Sequence, residues 1–86
     1  MYYSYIIKSE KDGKNYIGST SNINKRLVWH NEGKNVSTRF RRPFKLIYTK
    51  EFESKIEALA YERWLKKQKG GNKVKKLIDE WSDFDK

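Results

Sequence analysis

A short β-hairpin is the feature that most constrains how this 86-residue chain can fold. Two runs rich in aromatic and β-branched residues, Tyr2 to Lys8 and Asn15 to Thr20, flank the dipeptide Asp12-Gly13. Runs of this composition predict β-strands, and an Asp-Gly pair between them favours a two-residue turn of the primed type. We therefore expect residues 2–20 to form an antiparallel hairpin whose register the turn fixes.

The predicted register brings two tyrosines to one face of the hairpin. With a two-residue turn, Ile7 faces Gly18 and Tyr5 faces Thr20 across the strand pair. Side chains alternate between the two faces of a strand, so Tyr5 and Tyr16 emerge on the same face. They are offset by about four residues, roughly 13 Å along the strands.

The segment after the hairpin predicts a helix over residues 22–31. Ser21 or Asn22 can cap it, and Gly33 can end it. Residues 31–42 are polar and basic, which is typical of an exposed loop.

This first helix is predicted to have two different faces. Arg26 and His30 lie four residues apart on one face, close enough to address one phosphate together. The apolar stripe beside them consists of Ile23, Leu27 and Val28.

The segment 44–51 is too short for another helix and alternates in polarity, which predicts the third strand of an antiparallel sheet. Its apolar positions are Phe44, Leu46 and Tyr48.

Two more helices are predicted in the remainder of the chain. Ser54 and Glu57 form a capping box, which begins a helix that runs to about Gln68. Its apolar stripe is Ile56, Leu59, Ala60 and Trp64, with Glu62 beside the stripe. Asn72 is predicted to cap the third helix, and residues 82–86 to fray. The apolar face of the third helix is Val74, Leu77, Ile78 and Trp81.

These elements predict an α+β fold, a three-stranded antiparallel sheet flanked by three helices in the order ββαβαα. A chain of 86 residues with 36% hydrophobic residues can bury only one modest core. We therefore expect residues 1–86 to form a single domain.

Charge narrows the classes of partner. Lys and Arg number 20 against 11 Asp and Glu, which gives a net charge of +9 and favours a polyanion such as nucleic acid. A membrane is a poorer partner, because no apolar run approaches the ~20 residues of a spanning helix and no hydrophobic signal segment is recognisable. The absence of cysteine excludes disulfides and thiolate metal sites. We expect a soluble, cytoplasmic protein.

The hairpin also carries a family resemblance. Tyr3-Ser4-Tyr5, ten residues and then Tyr16-Ile17-Gly18 resemble the signature of the GIY-YIG nuclease family, although Tyr3 and Ser4 depart from the Gly-Ile of its first triplet. The resemblance covers about the whole chain, and its further positions are Ser19, Thr20, Arg26, His30, Arg42, Pro43 and Glu62. The chain is most similar to the small single-domain members, which are related to the catalytic modules of excision-repair incision subunits.

The resemblance implies a metal-dependent endonuclease that hydrolyses phosphodiester bonds of DNA. Such a reaction needs an attacking water, an acceptor for its proton and neutralisation of the transition-state charge. By resemblance, Glu62 holds a single Mg²⁺ or Mn²⁺ ion, Arg26 holds the scissile phosphate, and Tyr16 is the general base or positions the water. A free phenol, with a pKa of about 10, is a poor base at neutral pH, so this role requires nearby cations.

The resemblance gives Tyr5, His30 and Asn72 supporting roles: Tyr5 beside the attacking water, His30 as a proton relay or phosphate ligand, and Asn72 as a brace for the site. The residues themselves leave structural alternatives open. The tyrosines could fill the core, His30 could be an idle surface histidine, and Asn72 could simply cap its helix. Glu62 could form an ordinary solvated ion pair with Lys66. Gly18 is explained by a close approach of its backbone to the first helix or to DNA.

A basic stretch is expected to follow a phosphate backbone, although it could equally be a solvated surface. Its members are Lys34, Arg39, Arg41, Arg42 and Lys45, with Lys73 at the start of the third helix. No group is placed in an obvious way to read base edges, so we expect selectivity for DNA structure and a role in repair or recombination. A protein partner is expected to supply DNA specificity, because family members usually carry an additional DNA-binding domain. The competing hypotheses are a non-catalytic nucleic-acid-binding module and a small partner subunit.

Overall fold

The computed structural model describes the backbone of residues 1–84 and the side chains of residues 1–82. Its three strands form one antiparallel sheet in the order β2-β1-β3. The predicted fold class and element order ββαβαα are therefore confirmed. The elements are β1 (Tyr2–Ser9), β2 (Asn15–Thr20), α1 (Ile23–Asn31), a 3₁₀ turn (Arg39–Arg41), β3 (Phe44–Phe52), α2 (Lys55–Lys67) and α3 (Asn72–Phe84).

Polar caps begin the first two helices. The Asn22 side chain accepts a hydrogen bond from the Lys25 amide at 3.0 Å, so Asn22 is the cap of α1. Ser54 accepts from the Glu57 amide at 3.2 Å at the start of α2, as predicted.

The start of the third helix corrects one prediction. Asn72 does not cap α3: it is already helical, and the carbonyl of Gly71 accepts from the Lys75 amide at 3.1 Å. The tail predicted to fray, residues 82–86, is helical as far as Phe84, and its last two residues lie outside the described part of the chain.

The hairpin register differs from the predicted one by two residues. Tyr5 faces Gly18 and Ile7 faces Tyr16, so the loop contains four residues instead of two. Because the shift is even, Tyr5 and Tyr16 still emerge on one face. Their offset falls to two residues, roughly 7 Å, which brings the two rings closer than predicted.

Ser9 is the physical reason for the longer loop. Its hydroxyl accepts hydrogen bonds from the amides of Lys11 and Asp12, both at 3.1 Å, and its carbonyl accepts from Gly13 at 2.9 Å. Gly13 has a φ of +72°, a conformation that glycine adopts without strain. A side chain at the end of β1 thus satisfies the loop amides that a two-residue turn would have omitted.

Both faces of the sheet are covered. Adjacent residues Ile6 and Ile7 of β1 are fully buried on opposite faces, because side chains alternate along a strand. The α1 face is packed around Tyr5, Ile7 and Phe44, with Ile23 and Leu27 of α1 against them. The opposite face, here called the α2–α3 face, is packed around Ile6, Tyr48, Leu65 and Val74.

A β-bulge in β3 divides its apolar residues between the two faces. Ile6 pairs with Tyr48 but Ile7 pairs with Leu46, so Ile47 is an extra residue in β3. Leu46 therefore faces α1, whereas Tyr48 faces α2 and α3. The prediction that Tyr48 continues the alternation of Phe44 and Leu46 is wrong, because the bulge reverses the strand's faces.

The helix α2 is rotated relative to the predicted stripe. Ala58 and Leu65 are buried against the sheet, whereas Ile56 is 78% exposed and Trp64 is 36% exposed. The Ser4 hydroxyl donates to the Ala58 carbonyl at 2.6 Å, which holds this turn of α2 against β1. The predicted stripe is therefore wrong for α2, whereas the α3 residues predicted to face inward do pack on this core.

No helix in the described part of the chain is long and apolar enough to cross a membrane.

Candidate active site

Tyr5 lies at the centre of the sheet with its ring across Gly18 of the neighbouring strand. A side chain at Gly18 would begin only 2.5 Å from the Tyr5 hydroxyl oxygen, so glycine is the residue that leaves this ring its place. The prediction that Gly18 accommodates the first helix or DNA is wrong, because the ring of Tyr5 occupies the space. Burial raises the pKa of Tyr5, and the nearby Tyr16 raises it further, so the hydroxyl stays protonated at neutral pH.

Tyr5 begins a buried line of three hydrogen-bonding groups. Its hydroxyl lies 3.0 Å from Nε2 of His30, whose Nδ1 lies 3.1 Å from the hydroxyl of Thr38. Tyr5 is 2% exposed, and His30 and Thr38 are fully buried. All three groups are satisfied when Tyr5 donates to Nε2 and Nδ1–H donates to Thr38. We call this set the Tyr5–His30–Thr38 line.

Aromatic rings enclose the imidazole of His30. Tyr16 and Trp29 are both 5.0 Å from it between ring centroids, and Phe44 is 5.8 Å from it. Burial, together with the positive charge of Arg26, lowers the pKa of His30 to about 4, so the ring is neutral at physiological pH. His30 is therefore a buried residue, and the structure gives it no direct access to a phosphate. It lies on the inner side of α1, where the predicted apolar stripe included Val28, whereas Val28 is 55% exposed.

Arg26 is the cation next to this line. Its guanidinium lies over the Trp29 ring, 4.8 Å from the centroid, which orients the side chain along α1. It also lies close enough to the Tyr5 hydroxyl to offset part of the rise in the pKa of Tyr5. Arg26 lines a depression of about 200 Å³ that Thr20 of β2 and Ala58 of α2 share, so it faces the gap between two helices.

Glu62 approaches from α2. It lies one helical turn after the buried Ala58, and only 15% of its side chain is exposed. Its carboxylate accepts a hydrogen bond from Lys66 at 2.7 Å, so Glu62 forms the ion pair that the sequence analysis gave as an alternative to metal binding. The negative charge of Glu62 also contributes to the raised pKa of Tyr5.

Tyr5, Tyr16, Arg26 and Glu62, to which the resemblance gives roles in one reaction, approach one another from both sides of the sheet. Tyr5 and Tyr16 lie on the α1 face, whereas Glu62 belongs to the helix on the opposite face. The two sides meet around β2, which is an edge strand. Lys66, the ion-pair partner of Glu62, lines a depression of about 430 Å³ together with Tyr16. The face that carries the two tyrosines is thus joined by Glu62 around the edge of β2.

Asn72 is not joined to this arrangement. It is exposed at the first position of α3, and no hydrogen bond connects its side chain to the residues above in the described structure. Lys73, beside it, lines a different depression together with Trp64 and Leu77.

Some side chains of the predicted basic stretch are paired with carboxylates, and others are exposed to solvent. Lys34 lies 3.5 Å from the carboxylate of Glu32, and Arg41 is paired with Asp12 at 3.0 Å and half-buried. Arg39, Arg42 and Lys45 are exposed. The stretch is not a disordered loop, since it contains a 3₁₀ turn and the buried Thr38.

The donor set around Glu62 fits a cation with few protein ligands. Among the described residues no group of three or more His, Cys, Asp or Glu side chains could enclose an ion. A single carboxylate can still hold Mg²⁺ when waters and substrate phosphate supply the other ligands, which is this ion's usual mode in phosphoryl chemistry. Binding there requires Lys66 to give up its position on Glu62.

Sequence reasoning missed Thr38 and Trp29. Thr38 sits in a polar stretch whose composition predicts exposure, and its burial depends on a contact with a helix eight residues earlier. Trp29 precedes His30 in α1, and the spacing of Arg26 and Trp29 at i and i+3 is a local signal for a stacked pair.

Comparison with known proteins identifies the family of this chain. The sequence profile of the GIY-YIG catalytic domain matches residues 1–75, which include both hairpin triplets, Arg26, His30 and Glu62. The chain therefore belongs to the GIY-YIG catalytic domain family.

Several relatives within this family carry the name UPF0213 protein. One from Streptococcus pneumoniae serotype 4 is 44% identical over 90% of this chain and 78% of its own length. One from Staphylococcus saprophyticus is 41% identical over 92% of this chain and 95% of its own length. The solution structure of the UPF0213 protein BH0048 from Bacillus halodurans is 36% identical, with a TM-score of 0.56, and the match covers 92% of this chain and 84% of that one.

Proposed function

We propose that this protein is a metal-dependent endonuclease that hydrolyses phosphodiester bonds of DNA at the edge of β2. The observation that supports the proposal is the convergence of two charged groups near Tyr5. Arg26 of α1 lines a depression with Thr20 and Ala58, and the largely buried Glu62 lies one turn after Ala58 in α2. A guanidinium and a carboxylate from helices on opposite faces therefore both influence the Tyr5 hydroxyl. A cationic fork and a carboxylate around one hydroxyl are the groups that phosphodiester hydrolysis needs for phosphate binding and charge neutralisation. Membership of the GIY-YIG family supports the nuclease class.

The two tyrosines have different environments and, in this proposal, different roles. Tyr5 is buried, and its raised pKa keeps it a hydrogen-bond donor, so it positions groups and does not accept the proton. Tyr16 is half-exposed beside the depression that Lys66 also lines, where a water can enter. We assign Tyr16 to orient the attacking water or accept its proton, with Tyr5 beside it.

Arg26 binds the scissile phosphate and neutralises charge as the transition state forms, because its planar guanidinium can donate two parallel hydrogen bonds to phosphate oxygens. Glu62 would hold a single Mg²⁺ or Mn²⁺ ion, and Lys66 would then be free to contact the phosphate. When bound, the ion supplies Lewis-acid stabilisation of the phosphate and of the leaving oxygen.

His30 acts through Tyr5 in this scheme. Because it is fully buried and neutral, it accepts the Tyr5 hydrogen bond and holds that ring in position over Gly18. The roles as phosphate ligand for His30 and as brace for Asn72 are not part of the proposal.

The substrate in this proposal is a structural form of DNA rather than a sequence. Arg39, Arg42 and Lys45 are exposed and contact phosphates, which carry no sequence information. We propose a cytoplasmic protein that acts in DNA repair or recombination, with a protein partner that contributes specificity.

The decisive experiment is cleavage of labelled nicked, flapped, branched and linear DNA with Mg²⁺ or Mn²⁺. We expect Glu62→Gln to lower the cleavage rate by a factor on the order of 100 to 10,000, because it removes the charge that anchors the cation. DNA affinity should stay within about twofold, since glutamine keeps the size and hydrogen-bonding capacity of the side chain.

The matched control is Glu53→Gln, which removes an exposed carboxylate just before α2 and should cleave as the parent does. Failure of the parent to cut any of these DNAs with either metal would contradict the proposal and leave a nucleic-acid-binding module. Equal rates for parent and Glu62→Gln would contradict the role of Glu62.

A further inference from the structure

Phe40 is an aromatic side chain displayed at the surface with no apolar cover. It lies in the 3₁₀ turn Arg39–Arg41 and is 73% exposed, which makes it the most exposed aromatic residue of the described chain. Exposed apolar residues are common singly, so exposure alone does not indicate a function. What distinguishes Phe40 is that two hydrogen bonds and an ion pair hold the turn that carries it, and that the turn and its flank are rich in basic residues.

Three contacts brace the turn against the tip of the hairpin. Lys11 donates a hydrogen bond from Nζ to the Phe40 carbonyl at 3.1 Å. Arg41 is paired with Asp12 at 3.0 Å, and the Ser9 hydroxyl donates to the Arg41 carbonyl. A ring presented on a braced turn loses little conformational entropy when it contacts a ligand, which favours a role in binding.

The charges around the ring favour nucleic acid as the ligand. The guanidinium of Arg39 lies 5.0 Å from the Phe40 ring centroid, and the exposed Arg42 lies two residues beyond the ring. Asp12, the carboxylate nearest along these contacts, is already neutralised by Arg41. An exposed aromatic ring with one cation beside it and a second exposed cation in the same segment matches a base stacked on the ring while its neighbouring phosphates are neutralised.

The turn is also joined to the candidate active site. Thr38, at the start of the turn, is the last member of the Tyr5–His30–Thr38 line, so the position of the turn and that of Tyr5 depend on the same imidazole. Arg41 meets β1 at Ser9, four residues from Tyr5, which is roughly 13 Å along the strand. This distance corresponds to about four nucleotides at 3.4 Å each.

We propose that Phe40 stacks on an unpaired base where a DNA duplex is interrupted by a nick, flap or branch. Continuous duplex offers no free base face for the ring, so the turn binds it through phosphates alone. This proposal rests on the proposed function for its substrate class, and it makes the 3₁₀ turn the element that recognises the interruption. It also places incision a few nucleotides from the interruption.

The test measures binding without divalent metal, so it does not depend on cleavage. Two fluorescent DNAs are compared, a continuous duplex and the same duplex with a single-stranded flap that carries 2-aminopurine at the branch. We expect the parent to bind the flapped DNA about tenfold more tightly than the continuous one and to change the 2-aminopurine fluorescence, because one stacked base is worth about that factor. Phe40→Ala should lose this preference and keep its affinity for continuous duplex within about twofold.

Two matched variants accompany it. Val36→Ala removes an apolar side chain that is equally exposed, at 73%, in the same stretch, and should keep the preference. Phe40→Trp keeps an aromatic face and should also keep it. Since Phe40 is at the surface, thermal melting should show all three variants folded.

Retention of the preference by Phe40→Ala, an equal loss with Val36→Ala, or an equal weakening on both DNAs would overturn the proposal. A parent with no preference for flapped DNA would overturn it as well. If the parent shows the preference and Phe40→Ala loses it, but no DNA is cleaved in the separate assay, the stacking proposal stands and only the endonuclease proposal fails.

Discussion

The two faces of the sheet are built on different chemistry. On the α2–α3 face, Ile6, Leu65 and Val74 form an apolar cluster whose contacts are mainly dispersion and burial. On the α1 face, a cluster of similar depth encloses His30 and Thr38, two polar side chains with no exposure. The comparison separates a face with an apolar interior from a face whose interior holds a buried line of hydrogen-bonded polar groups.

Because the α1 face contains buried polar groups, its packing depends on each side chain of the Tyr5–His30–Thr38 line. No buried side-chain nitrogen or oxygen in the described residues lacks a hydrogen-bond partner, so the Tyr5–His30–Thr38 line is fully satisfied. In a low-dielectric interior, the loss of one partner leaves another polar group buried and unpaired. A substitution on this face therefore acts on a set of groups, whereas one on the other face acts mainly through volume.

The largest expected effect on stability is on the α2–α3 face. Leu65→Ala should lower the free energy of unfolding by about 2–5 kcal/mol, because Leu65 is fully buried and its removal leaves a cavity. Urea unfolding at pH 7 measures the change. Such a loss is a large fraction of the stability of a small domain.

Ile56→Ala, on the same helix, is the matched control. Ile56 is 78% exposed, so its truncation should change the free energy of unfolding by less than about 0.5 kcal/mol. If Ile56→Ala were as destabilising as Leu65→Ala, α2 would pack in the orientation that its sequence pattern predicts, and the difference between the faces would have to be redrawn.

The next effect is a pH dependence that belongs to the α1 face. Burial and Arg26 lower the pKa of His30 to about 4, from an ordinary value near 6.5. Between these values the unfolded chain binds a proton that the folded protein excludes. The contribution of neutral His30 to the free energy of unfolding should therefore be fully present above about pH 6.5. The free energy of unfolding should fall by up to about 3 kcal/mol as the pH drops to about 4.

Urea unfolding at pH 7, 5.5 and 4.5 measures this slope, and His30→Gln provides the control. Glutamine does not titrate, so the difference in slope between parent and variant isolates His30 from carboxylates that protonate in the same range. Parallel slopes would show that His30 does not resist protonation and that the α1 face is more hydrated than its packing indicates.

The smallest expected effect on stability compares one tyrosine hydroxyl on each face. Tyr48 shares a hydrogen bond of 2.8 Å with Tyr61. Tyr48→Phe should therefore lower the free energy of unfolding by about 1 kcal/mol and leave the cleavage rate unchanged. Tyr5→Phe leaves Nε2 of the buried His30 without its partner, so it should cost about 1–3 kcal/mol and also lower cleavage.

Urea unfolding and the flapped-DNA cleavage assay are applied to both variants. A loss of cleavage with Tyr48→Phe as large as that with Tyr5→Phe would remove the functional distinction between the faces. An unchanged cleavage rate with Tyr5→Phe would take Tyr5 out of the proposed site.

Local signals in the sequence were sufficient for the element order. Strand runs, the polar caps at Asn22 and Ser54, and the apolar face of α3 each depend on neighbours within about four residues, and the structure contains all of them. The motif positions Tyr5, Tyr16, Arg26 and Glu62 are likewise readable from the chain. Their membership of the GIY-YIG family follows from order and spacing along the sequence.

Only the tertiary structure decided how these elements face one another. The Ser9 hydroxyl set the hairpin register, an extra residue at Ile47 reversed β3, and contacts with β1 and β3 rotated α2. Each also involves a partner distant along the chain: the Ser9 hydroxyl, which accepts from the loop amides, itself donates to the Arg41 carbonyl. The same is true of the Tyr5–His30–Thr38 line. The sequence by itself supplied a tyrosine, a histidine and a threonine, and only the packing around them made the three a buried, hydrogen-bonded set. The physical reason is that polar groups must pair with one another when the fold removes water from between them.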